Sequence, residues 1–460
     1  MRYEPYPEVR DLTADLPRIA ALGFNTVQLM PRFPFCGYTV TDYHDITNSY
    51  GDEVELREFI RVAHSLGLRV LLDVVLHGCI DREMVVWDSE HFGRRHDYIF
   101  GAWRERAREV SPYRIEHPEW FIYDEDGNIG RTYTWAFDAA NESWHRYLID
   151  VLLHYVRGLS VDGFRFDAPT WNCLPNWSRD VPYRASASYY GSHRLFQSLR
   201  CSLKEESPDV VMYTEPSGPM FRTTMDLCYN YDEEWLWGSL AEVVSHRGYA
   251  GGACHDGRRL DARELSQWLH DRRLALPPGS ISVHHLDSHD TFWWGEKAQF
   301  RSEAFGPGAA RALFSVCSFI DGGLMNYAGA EKEMEDHVRR VLATRSKWPE
   351  LTIGTCDYLA VDTGHPMVFG VLRRHGRNVA IPLVNLSDRE VHCSIALPRA
   401  VIGLGRDALI SVWDDFNGTA PESGVLERID VTIPPYGTAV YVLRNAAGLP
   451  DDRQRKDDQR

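Results

Sequence analysis

The run Leu68-Arg-Val-Leu-Leu-Asp-Val-Val-Leu76 is too continuously apolar for a strand with one wet face, which would alternate apolar and polar side chains. It has to be covered on both faces. Over the first two thirds of the chain, short β-branched runs alternate with longer amphipathic stretches, as in parallel strands joined by crossover helices. Strands are predicted at 24–30, 68–76, 161–166, 210–214, 226–229, 280–286 and 323–326. Helices are predicted at 11–22, 53–66, 142–157, 192–206, 262–274, 308–319 and 333–347. Repeated strand–helix units around one core fit an α/β fold of the (β/α)8 TIM-barrel type, whose functional groups sit at the carboxyl ends of the strands.

Between residues 78 and 137 the periodicity fails, and Pro, Gly, Trp, Tyr and charged residues mix without an apolar stripe. This predicts an inserted lobe, with a small hairpin at Asp126-Gly127. Beyond residue 355 the chain turns to short alternating strands, such as 367–372, 379–384 and 438–443, separated by Gly, Asn, Asp and Pro. The expected organisation is a barrel over 1–77 and 138–354, the insert at 78–137, an all-β sandwich over 355–445 and a disordered tail at 446–460.

A chain of 460 residues with 44% apolar side chains exceeds what a single core usually serves, which agrees with a large domain and a smaller companion. No apolar stretch of about 18 residues is present, so no membrane span is expected. The formal charge of -16 and the dispersed Lys and Arg residues argue against nucleic acid or anionic lipid as partners. Nine scattered cysteines disfavour a disulfide framework or a zinc site, and the start Met1-Arg-Tyr-Glu-Pro lacks the apolar run of a signal peptide. A reducing, cytoplasmic setting is expected.

Four predicted strand ends carry charged or polar groups: Asp73, the pair Arg165 and Asp167, Glu215, and the cluster Asp287, His289 and Asp290. Charges there are costly to desolvate, so each needs a partner or a task. Along a strand the period of two points Arg165 and Asp167 to one side, where the guanidinium can hold the carboxylate ionised. Glu215, at the end of an apolar strand, suits a carboxyl whose acidity is weakened by desolvation. An ionised and a protonatable carboxyl side by side can cleave a glycosidic bond with retention. Each signal alone also fits a structural ion pair or a capping group; together they are more specific.

In order and approximate spacing these segments resemble the conserved regions of glycoside hydrolase family 13, the α-amylase family, along nearly the whole chain. Leu72-Asp-Val-Val-Leu76 resembles its first region, Asp162-Gly-Phe-Arg-Phe-Asp167 its second, Tyr213-Thr-Glu215 its third and Leu286-Asp-Ser-His-Asp290 its fourth. Gly37-Tyr-Thr-Val-Thr-Asp-Tyr43 with Tyr50-Gly51 resembles a further family segment, and the insert and the β domain resemble the family's B and C domains. The resemblance implies a retaining α-glycosidase with Asp167 as nucleophile, Glu215 as acid/base and Asp290 as transition-state stabiliser. Tyr38, Asp73, His77, Arg165 and His289 are the candidate substrate-binding residues, with Tyr38 stacked under the sugar. Trp135, Trp171, Trp293 and Trp294 are candidates to extend that platform. The implied partner is an α-glucan or oligosaccharide.

Three features depart from the family. The first region continues His77-Gly78 where the family has Asn-His, so a calcium-ligand asparagine is replaced and no metal or other cofactor is expected. His77 is then either a sugar contact from a shifted position or a satisfied structural histidine. Phe35 stands where chain-end glucosidases of the family commonly carry Asp, which argues against strict exo action. About ten residues precede the first predicted helix and hold no apolar strand, so the family's first barrel strand is expected to be missing from this chain. Hydrolysis of malto-oligosaccharide, starch or glycogen leads the alternatives, ahead of transglycosylation and of action on sucrose or trehalose. A non-catalytic carbohydrate-binding protein is disfavoured, because a retired site has no physical reason to keep three repelling acids.

Overall fold

The run at residues 68–76 folds as the strand its composition demands, buried at every position but the first, Arg69. In the computed structural model the described residues are 6–30, 40–44, 51–92, 109–132, 134–169, 173–180, 186, 190–215, 218–229, 233–240, 260–289, 291, 300–397 and 409–445. They divide into two units, Met1–Tyr229 with Pro277–Ser280, and Asn230–Leu276 with Ile281–Arg460.

The first unit contains strands β1 (Thr26–Leu29), β2 (Arg69–Val75), β3 (Gly78–Cys79), β4 (Trp135–Ala136), β5 (Gly163–Asp167), β6 (Val211–Thr214) and β7 (Leu227–Tyr229). Its helices are α1 (Val9–Leu22), α2 (Glu53–Ser65), α3 (Arg82–Phe92), α4 (Pro112–Glu116), α5 (Glu142–Leu159) and α6 (Gly191–Glu206). Strands β1, β2, β5, β6 and β7 lie side by side in that order, all parallel. The helices begin and end where their chemistry dictates. Asp52 caps α2, accepting from Glu55 N while the Glu55 carboxylate returns to Asp52 N, which satisfies two orphan donors. Asn141 Oδ1 takes the Ser143 and Trp144 amides at the start of α5, and α1 stops at Gly23, whose φ of 103° suits glycine. One face of α1 buries Val9, Leu12 and Leu16, and one face of α5 buries Leu148, Val151, Leu152 and Tyr155, all within the core cluster that holds β2 and β5.

The second unit contains α7 (Glu233–Leu240), α8 (Ala262–Ala275), α9 (Arg301–Phe305), α10 (Pro307–Phe319), α11 (Glu335–Lys347) and α12 (Pro349–Thr352). Strands β8 (Ile281–His285) and β9 (Gly323–Met325) pair in parallel. The all-β portion follows: β10 (Thr355–Asp357), β11 (Val368–Gly370), β12 (Leu372–His375), β13 (Asn378–Asn385), β14 (Val391–Ala396), β15 (Ile410–Asp414), β16 (Glu422–Gly424), β17 (Arg428–Ile433) and β18 (Thr438–Asn445). One sheet has the order β10-β12-β13-β18-β15-β16 with β11 also on β13, and β14 pairs with β17. Val379, Ile381, Ile395, Val431 and Leu443 are among its shared core. Arg373, fully buried on β12, donates to Phe319 O at 2.9 Å and Gly354 O at 3.1 Å. Its charge thus meets a carbonyl at the negative end of α10.

Two sequence expectations are revised. The strand predicted at 367–372 is two strands, β11 and β12, because they pair with opposite ends of β13 around Pro382. Proline has no N–H to give to a ladder, and the link residue Val371 instead donates to the Pro382 carbonyl at 3.2 Å. The aperiodic region 78–137 contains α3 and α4 as well as the predicted turn, where Tyr123 and Ile129 form an antiparallel bridge around Gly127, φ 86°. No described helix is long and apolar enough to cross a membrane.

Candidate active site

Parallel register builds the site in the first unit. Asp73 on β2 lies opposite Arg165 on β5, Val75 opposite Asp167, and Arg165 in turn opposite Tyr213 on β6. Arg165 Nη1 reaches Asp73 Oδ1 at 2.9 Å and Asp167 Oδ1 at 2.6 Å. Its Nη2 donates to the Tyr229 hydroxyl at 2.7 Å and lies 3.5 Å from Glu215 Oε2. Gln28 Nε2, from β1, donates to Asp73 Oδ2 at 3.4 Å. One guanidinium therefore serves three carboxylates carried by three neighbouring strands, and all four side chains are buried. A charge so placed is tolerable only when paired.

Asp167 is held on its second oxygen by His77 Nε2 at 3.2 Å, and His77 Nδ1 meets Thr134 Oγ1 at 3.1 Å. Burial alone would push the Asp167 carboxyl up; the Arg165 charge, then the His77 hydrogen bond, outweigh it and hold the carboxyl below its ordinary range. The group stays ionised. Gly78 follows His77 because strand β4 passes so close that a Cβ would stand 2.2 Å from Trp135 O and 2.3 Å from Thr134 Oγ1. The small residue thus admits the segment that brings Thr134 to the imidazole. Replacing Thr134 by Val is expected to lower kcat by about 3–10-fold, the worth of one lost hydrogen bond, with KM little changed. Thr134→Ser should restore the rate; a Ser variant as slow as Val would mean that shape rather than the hydroxyl matters.

Glu215 follows β6 directly, and its Oε2 accepts the Ala168 amide. Ala168, the residue after Asp167, has φ 41°, a left-handed conformation that a non-glycine residue adopts only when its surroundings impose it. That turn aims the Ala168 N–H at Glu215 and so ties the two carboxylate-bearing strand ends together.

In the second unit, β8 ends at His285. Asp287 is fully buried and accepts from the Arg301 amide at 2.5 Å and the Ser302 amide at 3.3 Å, and burial pushes its carboxyl up to about 6. His289 is buried in the same segment. Tyr38, Asp290, Phe35, Trp171, Trp293 and Trp294 lie outside the described residues. Trp135 is not a sugar platform: it is buried, its indole donates to Asp81 Oδ1 at 2.8 Å, and the guanidiniums of Arg114 and Arg131 sit 3.9 and 4.6 Å from its ring centroids. Sequence reasoning missed Gln28, Thr134 and Tyr229. Tyr229 obeys the same rule that found the others, a polar group at the end of a predicted strand; Thr134, inside the aperiodic insert, gives no such signal.

Solved structures share this fold. A maltogenic α-amylase from Thermotoga neapolitana superposes with a TM-score of 0.69, covering 96% of both chains at 20% identity. An α-amylase from Lactobacillus plantarum does so at 0.65 and 16% identity, again over 96% of both chains. The architecture is therefore that of the amylases, a TIM barrel with a C-terminal β domain. The chain also matches the α-amylase catalytic-domain profile over residues 8–356, and it belongs to the α-amylase family, whose members are glycosidases and transglycosylases. It is 33% identical over 312 residues to a 1,4-alpha-glucan-branching enzyme of Yarrowia lipolytica, covering 56% of this chain and 41% of that enzyme. A cyclomaltodextrinase of Geobacillus thermopakistaniensis is 21% identical over 478 residues, covering 95% of this chain and 70% of that protein. The match thus spans about two fifths of the Yarrowia enzyme's length.

Proposed function

We propose that this chain cleaves α-glucosidic bonds in malto-oligosaccharides, starch or glycogen with retention, through a covalent glycosyl-enzyme. The observation that carries this reading is Asp167 gripped between Arg165 and His77 while Glu215 approaches the same guanidinium. Two carboxylates on one guanidinium favour the short separation of about 5–5.5 Å typical of a retaining pair over the wider inverting one. Asp167 attacks the anomeric carbon as the glycosidic C–O bond breaks, and Glu215 gives its proton to the departing oxygen. Glu215 then takes a proton from water, whose oxygen displaces Asp167 and frees the sugar.

Asp73 acts by fixing Arg165, and Arg165 by orienting both carboxylates. Asp290 and His289 are assigned to the charge and hydroxyls of the flattened ring, and Tyr38 to its apolar face. Where the resemblance puts a calcium-ligand asparagine, His77 has both ring nitrogens engaged by Asp167 and Thr134, a donor set that does not suit calcium.

Transfer to a sugar acceptor is the second reading, supported by the likeness to the branching enzymes. It needs the same carboxylates and differs only in what displaces Asp167. Chromatography and NMR of maltoheptaose digests separate the two: shorter products released in the α-configuration are expected, and products longer than the substrate would move the assignment to transfer. Products released in the β-configuration would overturn retention.

A further inference from the structure

Leu174 and Trp177, three residues apart on the segment that follows β5, keep 42% and 41% of their surface exposed. That is more surface than a core residue leaves in water, and the backbone beneath it is not loose. Buried Asn176 uses both ends of its amide: Oδ1 accepts from Tyr123 N at 2.9 Å and Ser178 N at 3.1 Å, while Nδ2 donates to Asp138 Oδ2 at 2.8 Å and Phe121 O at 3.2 Å. The Trp177 amide itself donates to Tyr123 O at 2.8 Å. Residues 176–178 are thus clamped onto the insert while the indole is left facing outward, a preorganised surface that loses little freedom on binding.

The clamp also ties this surface to the carboxylate cluster. Residues 173–180 follow the carboxyl end of β5, which carries Asp167, and residues 118–138 lie beyond the carboxyl end of β2, which carries Asp73; both belong to the functional face of a parallel barrel sheet. Asp138 holds Asn176, its neighbour Phe137 donates to His77 O at 3.0 Å, and His77 holds Asp167. Exposed Arg179 and Asp180 follow Trp177 along the chain with charges of both signs, which suits neutral hydroxyls better than phosphate.

We propose that Trp177 is the platform on which an α-glucan chain rests at a distance from the reacting ring, making it a determinant of substrate length. This rests on the α-glucan reading above. The flat indole stacks against the apolar C–H face of a pyranose, and a chain too short to reach it forfeits that contact.

The test is kcat/KM for maltotriose and for maltoheptaose with the parent, Trp177→Ala and Trp177→Phe. Trp177→Ala is expected to lose about tenfold more on maltoheptaose than on maltotriose, chiefly through KM, and Trp177→Phe about threefold more. The Phe variant keeps the test valid if the Ala variant fails to fold. Equal losses at both lengths, or none, overturn the platform while leaving the α-glucan reading intact, and point to a packing role or a protein partner for this surface. A parent that turns over neither oligosaccharide overturns both.

Discussion

Asp167→Asn is expected to lower turnover of maltoheptaose by about 10⁴-fold or more, the scale seen when one indispensable catalytic group is removed. An amide is isosteric with the carboxylate but cannot attack an anomeric carbon. The substitution should be accommodated by the fold. The amide oxygen can still accept from Arg165 Nη1, and the amide nitrogen can donate to His77 Nε2 if the imidazole carries its proton on Nδ1 and donates it to Thr134 Oγ1 instead. Loss of activity with an unchanged unfolding midpoint is therefore the expected pattern. A smaller variant separates nucleophile from bystander. With Asp167→Gly and α-maltosyl fluoride, azide can enter the vacated space, form its bond to the anomeric carbon as fluoride leaves, and give β-maltosyl azide. Recovery of the α-azide, or an Asn variant within tenfold of the parent, would remove Asp167 from the nucleophile's role.

What could be seen in the sequence was what depends on neighbours along the chain. Strands β2 and β5 stand out because both their faces are buried, and the two-residue period from Arg165 to Asp167 puts guanidinium and carboxylate on one side without any knowledge of the fold. What depended on register across strands was hidden. That Asp73 lies opposite Arg165, that Gln28 reaches Asp73 and that Tyr229 closes the far side of the guanidinium follow from pairing between strands whose facing residues are up to 92 positions apart in the chain. Pro382 splits a strand on its neighbour, not on its own segment. Aromatic identity was equally silent: Trp135 is buried with two guanidiniums against its rings while Trp177 is exposed, and nothing local in either stretch distinguishes them. The His-Gly departure at 77–78 was legible as a change but not as a solution. Only the close passage of β4 shows that the glycine makes room for the segment that orients the histidine.

Arg165→Met is expected to cost about 3–5 kcal/mol of stability near neutral pH, because it removes a cation shared by three buried carboxylates while keeping much of the side chain's volume. Its pH dependence identifies the cause. In the parent, the folded Asp167 carboxyl lies below its unfolded value, so the stability it contributes is fully present above the unfolded value and is lost as pH falls through the folded one. In the variant the guanidinium, foremost of the influences that lower this carboxyl, is gone while burial, the largest influence on it, remains, so the folded carboxyl moves upward. The deficit is then largest where Asp167 must ionise without that guanidinium, and it shrinks as acidification protonates the carboxyl. Urea unfolding of parent and variant near pH 7 and near pH 4.5 reads the difference directly. A deficit that narrows toward the acidic condition is expected. A deficit of the same size at both would mean that Arg165 supports the barrel through packing, and that the carboxylates at these strand ends find their counter-charge elsewhere.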